Sequence, residues 1–134
     1  MTSNIVYQGN LRVKNTHLKS GNTFLTDAPT DNKGKGEAFS PTDTVATALA
    51  SCMMTIMGIL AEREEINLVN TEANITKTMA SDPRRISKIE VQFTFPENYE
   101  DKTKKKLEKA ALTCPVLQSL HPDIEKDIQF IYPS

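Results

Sequence analysis

Between Val45 and Ala61 this chain carries no charged residue, and that run sits inside the longer stretch SPTDTVATALASCMMTIMGILAEREEI, Ser40 to Ile66. A helix apolar on every side must be buried on every side. The remaining chain is polar and strand-like, so it is expected to wrap this segment. The uncharged part falls short of a bilayer span of about 20 residues, and Thr47, Ser51, Thr55 and Gly58 interrupt it. A buried helix is therefore expected, with no membrane partner. At its middle lies Cys52, one of two cysteines in the chain.

With 134 residues the chain has the length of one domain, residues 1–134, long enough for a real core but not for two. Sixteen basic side chains against seventeen acidic ones leave a net charge of −1. Such a balance gives no reason to expect nucleic acid or a membrane surface as partner. The start MTSNIVYQGN has neither the basic residues nor the apolar run of a signal peptide, so a cytoplasmic protein is expected. In that compartment a permanent disulfide is disfavoured, leaving inert thiols or redox chemistry for the two cysteines. No CxxC or HxxxH spacing occurs, and no zinc site is expected.

Residues 4–28 break into short runs separated by Gly9-Asn10 and Ser20-Gly21-Asn22, which predicts a meander of two or three strands. Asp31 to Gly36, DNKGKG, reads as a mobile loop and lacks the Gly-Lys-Ser/Thr of a phosphate loop. Ser40 is a plausible N-cap, followed by Pro41 at the first helical position and Asp43 in the first turn. The helix should end near Glu64. Residues 69–80 and 85–96 read as a hairpin turning at Ser81-Asp82-Pro83, with Ile89, Val91, Phe93 and Phe95 on one face. A second helix is expected over Glu100 to Leu112, with Leu107, Ala110 and Ala111 as its apolar stripe. Its lysines lack interleaved aromatics and read as a solvated face rather than a nucleic-acid site. Pro115 then places Cys114 at or beside the N-cap of a short helix. Ile124 to Tyr132 is expected to be an edge or closing strand.

The two thiols differ in expected environment. At a helix start Cys114 would feel the positive end of the peptide dipoles, which favours thiolate. Three turns inside its helix, Cys52 would gain nothing from the dipole, and burial would hold it protonated unless a cation came close. Each is also readable as a small core hydrophobe. Met53, Met54 and Met57, beside Cys52, read as core filling with a possible second use as pocket walls.

Three stretches in order, SPTDTVATALASC with its apolar helix, DPRRISKIEVQF, and ALTCPVLQSL, resemble the OsmC/Ohr family of thiol-dependent peroxidases. The resemblance covers most of the chain, more weakly before residue 36. It implies an α+β fold, OsmC-like, with strands wrapped around a long buried central helix plus a second helix, and two chains interlocked as a homodimer with active sites at the subunit boundary. It also implies a two-cysteine reaction. Cys52 matches the peroxidatic position, whose thiolate attacks a hydroperoxide and becomes a sulfenic acid. Cys114 matches the resolving position, which condenses with it to a disulfide. A dithiol partner then restores the reduced enzyme. No metal and no organic cofactor is implied.

The family pairs an arginine of the N-terminal strand region with a glutamate just before the cysteine helix, to stabilise the thiolate. Here Thr42 stands at the glutamate's position and Asp43 matches the acidic residue beside it. At about 100° per residue, Asp43 faces away from Cys52 and about 13 Å along the helix axis, so it would act, if at all, across a dimer interface. Its other reading is a residue that favours the helix N-terminus. Arg12 lies in the right region for the cation, with an ordinary strand residue as its other reading. His17 and Lys19 are substitutes without the guanidinium fork. Arg84 and Arg85 read as solvated. Two functions remain: a peroxidase of organic hydroperoxides or hydrogen peroxide, or an OsmC-fold protein that binds a small ligand with little or no peroxidase activity.

Overall fold

The computed structural model describes residues 1–134. The chain forms two compact units, Met1–Val45 and Ala46–Ser134. Each carries a three-stranded sheet, and with the helices the architecture is α+β, as expected.

In the first unit β1 (Ser3–Gly9), β2 (Arg12–His17) and β3 (Thr23–Asp27) form an antiparallel meander in sequence order. Between the paired positions Tyr7↔Val13 and Gly9↔Arg12, β1 holds one residue more than β2. The turn that follows runs through Gly9, Asn10 and Leu11, all at positive φ (85°, 54° and 61°). Glycine accepts this conformation freely, but for a leucine it is strained. The stretch expected to be a mobile loop is closed by hydrogen bonds. The Gly34 and Gly36 amides donate to the carbonyls of Pro29 and Ala28, at 2.9 and 3.2 Å. Gly34 lies so close to the Ala28 carbonyl that a Cβ would fall 1.7 Å from its oxygen, so only glycine closes this loop.

The long helix α1 (Pro41–Arg63) starts where expected. Its first turn is a reciprocal cap: the Asp43 amide donates to Ser40 Oγ and the Ser40 amide to Asp43 Oδ2, both at 3.0 Å. This arrangement satisfies two otherwise orphaned N–H groups.

In the second unit β5 (Arg85–Thr94) is central, antiparallel to β4 (Glu72–Ala80) and parallel to β6 (Glu125–Ile131). The parallel pairing follows from the crossover through α2 (Asp101–Ala111) and the short α3 (Pro115–Ser119). Strict alternation buries Ile89, Val91, Phe93 and Phe95 and leaves Gln92 and Thr94 exposed. Ile86 breaks that period because Ser87 is an extra residue in the pairing between Thr78↔Lys88 and Met79↔Ile86. A bulge of one residue reverses which face the chain presents.

Against this face pack Leu49, Met53, Met57 and Leu60 of α1 and Leu107 and Ala111 of α2. Met53 and Met57 are thus core, while Met54 is half-buried against them. Phe93 stacks on Phe130 at 5.5 Å and Phe95 on Tyr132 at 4.6 Å. The α2 lysines face outward, Lys106 pairing with Glu64 at 2.8 Å and Lys104 lying over the Tyr132 ring.

One expectation fails within the single chain. α1 buries one stripe, Ala46, Leu49, Ala50, Met53, Met57, Leu60 and Ala61, but Val45 is 38% and Ile59 56% exposed. One sheet covers one side of a helix, so the uncharged run gives a second apolar side that these contacts leave uncovered.

Phe93→Ala, removing a fully buried ring, should cost about 3–5 kcal/mol in urea unfolding, while Gln92→Ala on the outer face should stay within about 0.5 kcal/mol.

Candidate functional site

The second unit brings Cys52 and Cys114 together. Cys52 is half-buried on the flank of the α1 core stripe. Cys114 is fully buried and held by its place at the end of α2 and the start of α3. Its amide donates to the Ala111 carbonyl at 3.3 Å, and Pro115 follows at the first position of α3. With φ −63° and ψ 140° it is the N-cap, and its Sγ accepts the Leu117 amide at 3.2 Å. The Cys52 side chain lies near enough to Cys114 to act on its titration, and both are free thiols.

The helix start does not make Cys114 acidic, contrary to expectation. Burial pushes its thiol up from the ordinary range, and the neighbouring Cys52 adds to that, outweighing the Leu117 and Val116 amides that act in the opposite direction. Desolvation wins because the sulfur has no solvent contact, whereas α3 is a single short turn with few aligned peptides.

Elsewhere the structure sorts the candidate partners. Thr42 and Asp43 belong to the α1 cap, with Thr42 Oγ1 3.2 Å from Ser40 Oγ. His17 Nδ1 lies 2.6 Å from Ser20 Oγ in the β2–β3 turn. Arg85 Nη1 donates to the carbonyls of Ser81 and Pro83, both at 2.9 Å, clamping a turn. Arg12 is no ordinary strand residue: it grips Asp27 with a fork, Nε to Oδ1 at 2.7 Å and Nη2 to Oδ2 at 2.8 Å, and Nη2 also reaches Glu37 Oε1 at 3.0 Å. Asp27 and Glu37 escaped the sequence reading. A hairpin centred on Lys19-Ser20 sets Arg12 directly opposite Asp27, so the signal lay in the register of that turn. No group of three or more His, Cys, Asp or Glu side chains is arranged to hold a metal ion.

Residues 34–129 match the family profile described as OsmC-like protein. The chain belongs to the OsmC-like family. A solved structure from Psychrobacter arcticus 273-4, named for an osmotic stress induced and detoxification response, is 53% identical over 97% of this chain and 95% of that one, with a TM-score of 0.94. An organic hydroperoxide resistance protein OsmC from Legionella pneumophila shares the fold at 13% identity, with a TM-score of 0.75 over 98% of this chain and 97% of that one. One from Elizabethkingia anophelis does so at 14%, with a TM-score of 0.76 over 99% and 97%. No curated protein sequence matches the chain significantly. By length and composition α1 passes for a membrane span; in this OsmC-like fold it is the core helix.

A raised pKa for Cys114 gives an expectation with a definite sign. The buried neutral thiol stabilises the fold below the unfolded pKa of about 8.5, and that contribution is lost as pH rises through the higher folded value. In a Cys52→Ser variant, iodoacetamide should therefore alkylate Cys114 slowly, with a pH midpoint above about 8.5. A midpoint at or below that value would mean the amides outweigh burial.

Proposed function

We propose that this OsmC-like protein is a thiol-dependent peroxidase in which Cys52 is the attacking and Cys114 the resolving residue. The observation that carries the reading is the contact between a half-buried and a fully buried thiol in one unit. The Cys52 thiolate attacks the distal oxygen of a hydroperoxide. The O–O bond breaks, the alkoxide takes a proton and leaves as alcohol, and Cys52 becomes a sulfenic acid. Cys114 sulfur then attacks Cys52 sulfur, expelling water as the disulfide forms. An external dithiol returns both to thiols and becomes the disulfide. Cys114 held as a thiol suits this order, because it supplies the proton that leaves with water. A reducing compartment, the cytoplasm, keeps the pair in its starting state.

The working unit in this proposal is a homodimer, which completes the two units as one functional domain. Val45, Ala48, Cys52, Thr55 and Ile59 recur at alternate spacings of three and four along α1, the spacing of a helix–helix seam. They run beside the core stripe, with Cys52 at their centre. In the first unit Ile5, Tyr7 and Phe24 are exposed in register on one sheet face, Val6 and Leu25 on the other. A sheet apolar on both faces needs covering on both. A second copy supplies that cover and sets Arg12 beside the Cys52 thiolate across the boundary, a role Thr42 and Asp43 leave to it by capping α1.

The test follows consumption of cumene hydroperoxide by the reduced protein with dithiothreitol as reductant. Wild type should turn over and Cys52→Ser should fall to background; with the dithiothreitol removed, Cys114→Ser should consume about one equivalent to reach the sulfenic acid and about one more as this passes to sulfinic acid. Wild type indistinguishable from Cys52→Ser would leave the fold as a small-ligand binding protein instead. Separately, Ile59→Glu should convert a dimer to monomer in sedimentation velocity, since an unpaired charge would be buried in the seam.

A further inference from the structure

We infer that Asp27 is the positioning residue for Arg12, taking over from a strand the task that Thr42, in the first turn of the cysteine helix, lacks the charge to perform. The inference rests on the peroxidase reading above and deepens it at one point.

Arg12 and Asp27 are directly opposed across β2 and β3. Asp27 is only 1% exposed, so its carboxylate must be paired. Arg12 answers both of its oxygens in a planar fork, the strongest and most directional carboxylate contact. Pairing with Arg12 holds the Asp27 carboxyl below the usual aspartate range. The backbone fixes Asp27 from two more directions. Its amide donates to the Phe39 carbonyl at 3.0 Å, and its Oδ2 accepts the Glu37 amide at 3.2 Å. The Ala28–Gly36 loop, closed by its glycines, delivers that Glu37 amide.

Arg12 is held from its own side as well. It follows the left-handed Leu11, whose carbonyl accepts the Ala28 amide at 3.1 Å, so the strained turn is tied to the same loop. A strained residue next to a fixed guanidinium is the kind of cost that functional sites carry. The fork and the Glu37 contact use Nε and Nη2. None of these three bonds uses Nη1, and the Arg12 side chain keeps 27% of its exposure. Asp27 thus fixes the plane of the guanidinium while a donor edge stays available for an anion. Glu37 differs in kind: it makes one bond from a side chain 63% exposed, and contributes direction rather than anchorage.

Thr42 therefore needs no carboxylate. The charge that orients the arginine comes from the strand facing it, and in this proposal Arg12 so oriented meets the Cys52 thiolate of the second copy.

A double-mutant cycle on kcat/KM for cumene hydroperoxide tests this. Arg12→Ala should lower kcat/KM about 10–100-fold, and Asp27→Asn, which keeps the shape but loses one arm of the fork, about tenfold. The Arg12→Ala/Asp27→Asn double variant should be no slower than Arg12→Ala alone, because Asp27 acts only through Arg12. Circular dichroism and sedimentation check that each variant is folded and dimeric. Should Asp27→Asn not fold, the cycle is run with Asp27→Ser on the same terms. Losses that multiply in the double variant, an Asp27→Asn enzyme as fast as wild type, or an Arg12→Ala enzyme as fast as wild type each overturn the inference and leave the peroxidase reading standing. A wild type without turnover overturns both.

Discussion

Contact between the Cys52 and Cys114 thiols depends on apolar burial at the meeting of α1, β5 and α2. Cys52 comes from the flank of α1 and Cys114 from the joint between α2 and α3, and neither element touches the other in sequence. What brings them together is the face of β5 formed by Ile89, Val91 and Phe93, which receives Met53 and Met57 from one side and Leu107 and Ala111 from the other. The same packing that closes the core leaves Cys114 dry, and dryness decides its protonation against the pull of its own helix start. Core and chemistry are here one set of contacts.

The first unit has the opposite design. None of its hydrophobic side chains is buried, its sheet shows apolar side chains on both faces, and its buried Asp27 and Ser40 are held by hydrogen bonds from Arg12, the Glu37 amide and the Asp43 amide. The rigidity it does possess is concentrated around Arg12, through the fork to Asp27, the closed loop after Ala28 and the left-handed turn before Arg12. A unit that spends its order on one cation and leaves its hydrophobic faces open is suited to being completed by another copy, as proposed above.

Much of the fold was legible in the chain. Ser40-Pro41 marks the start of α1, Gly9-Asn10 and Ser20-Gly21-Asn22 mark turns of the first sheet, and alternation from Ile89 marks the buried face of β5, because caps, turns and periods of two are local physics. The cysteine pair was reached through resemblance, since nothing local joins residues in separate helices. Asp27 and Glu37 stayed hidden for the same reason. An aspartate at a strand end looks like turn chemistry until pairing puts an arginine opposite it.

Taken alone, the amino-acid sequence determined where α1 starts, which residues form the buried face of β5, and that Cys114 starts a helix. Each of these follows from side chains acting on their own backbone. Tertiary structure decided what lay between elements: that α1 is covered on one side only, that Arg12 is clamped by Asp27 rather than by a residue near the cysteine helix, and that Cys114 stays protonated. Those outcomes turn on distance and on exclusion of water, quantities that exist only once separate segments have packed.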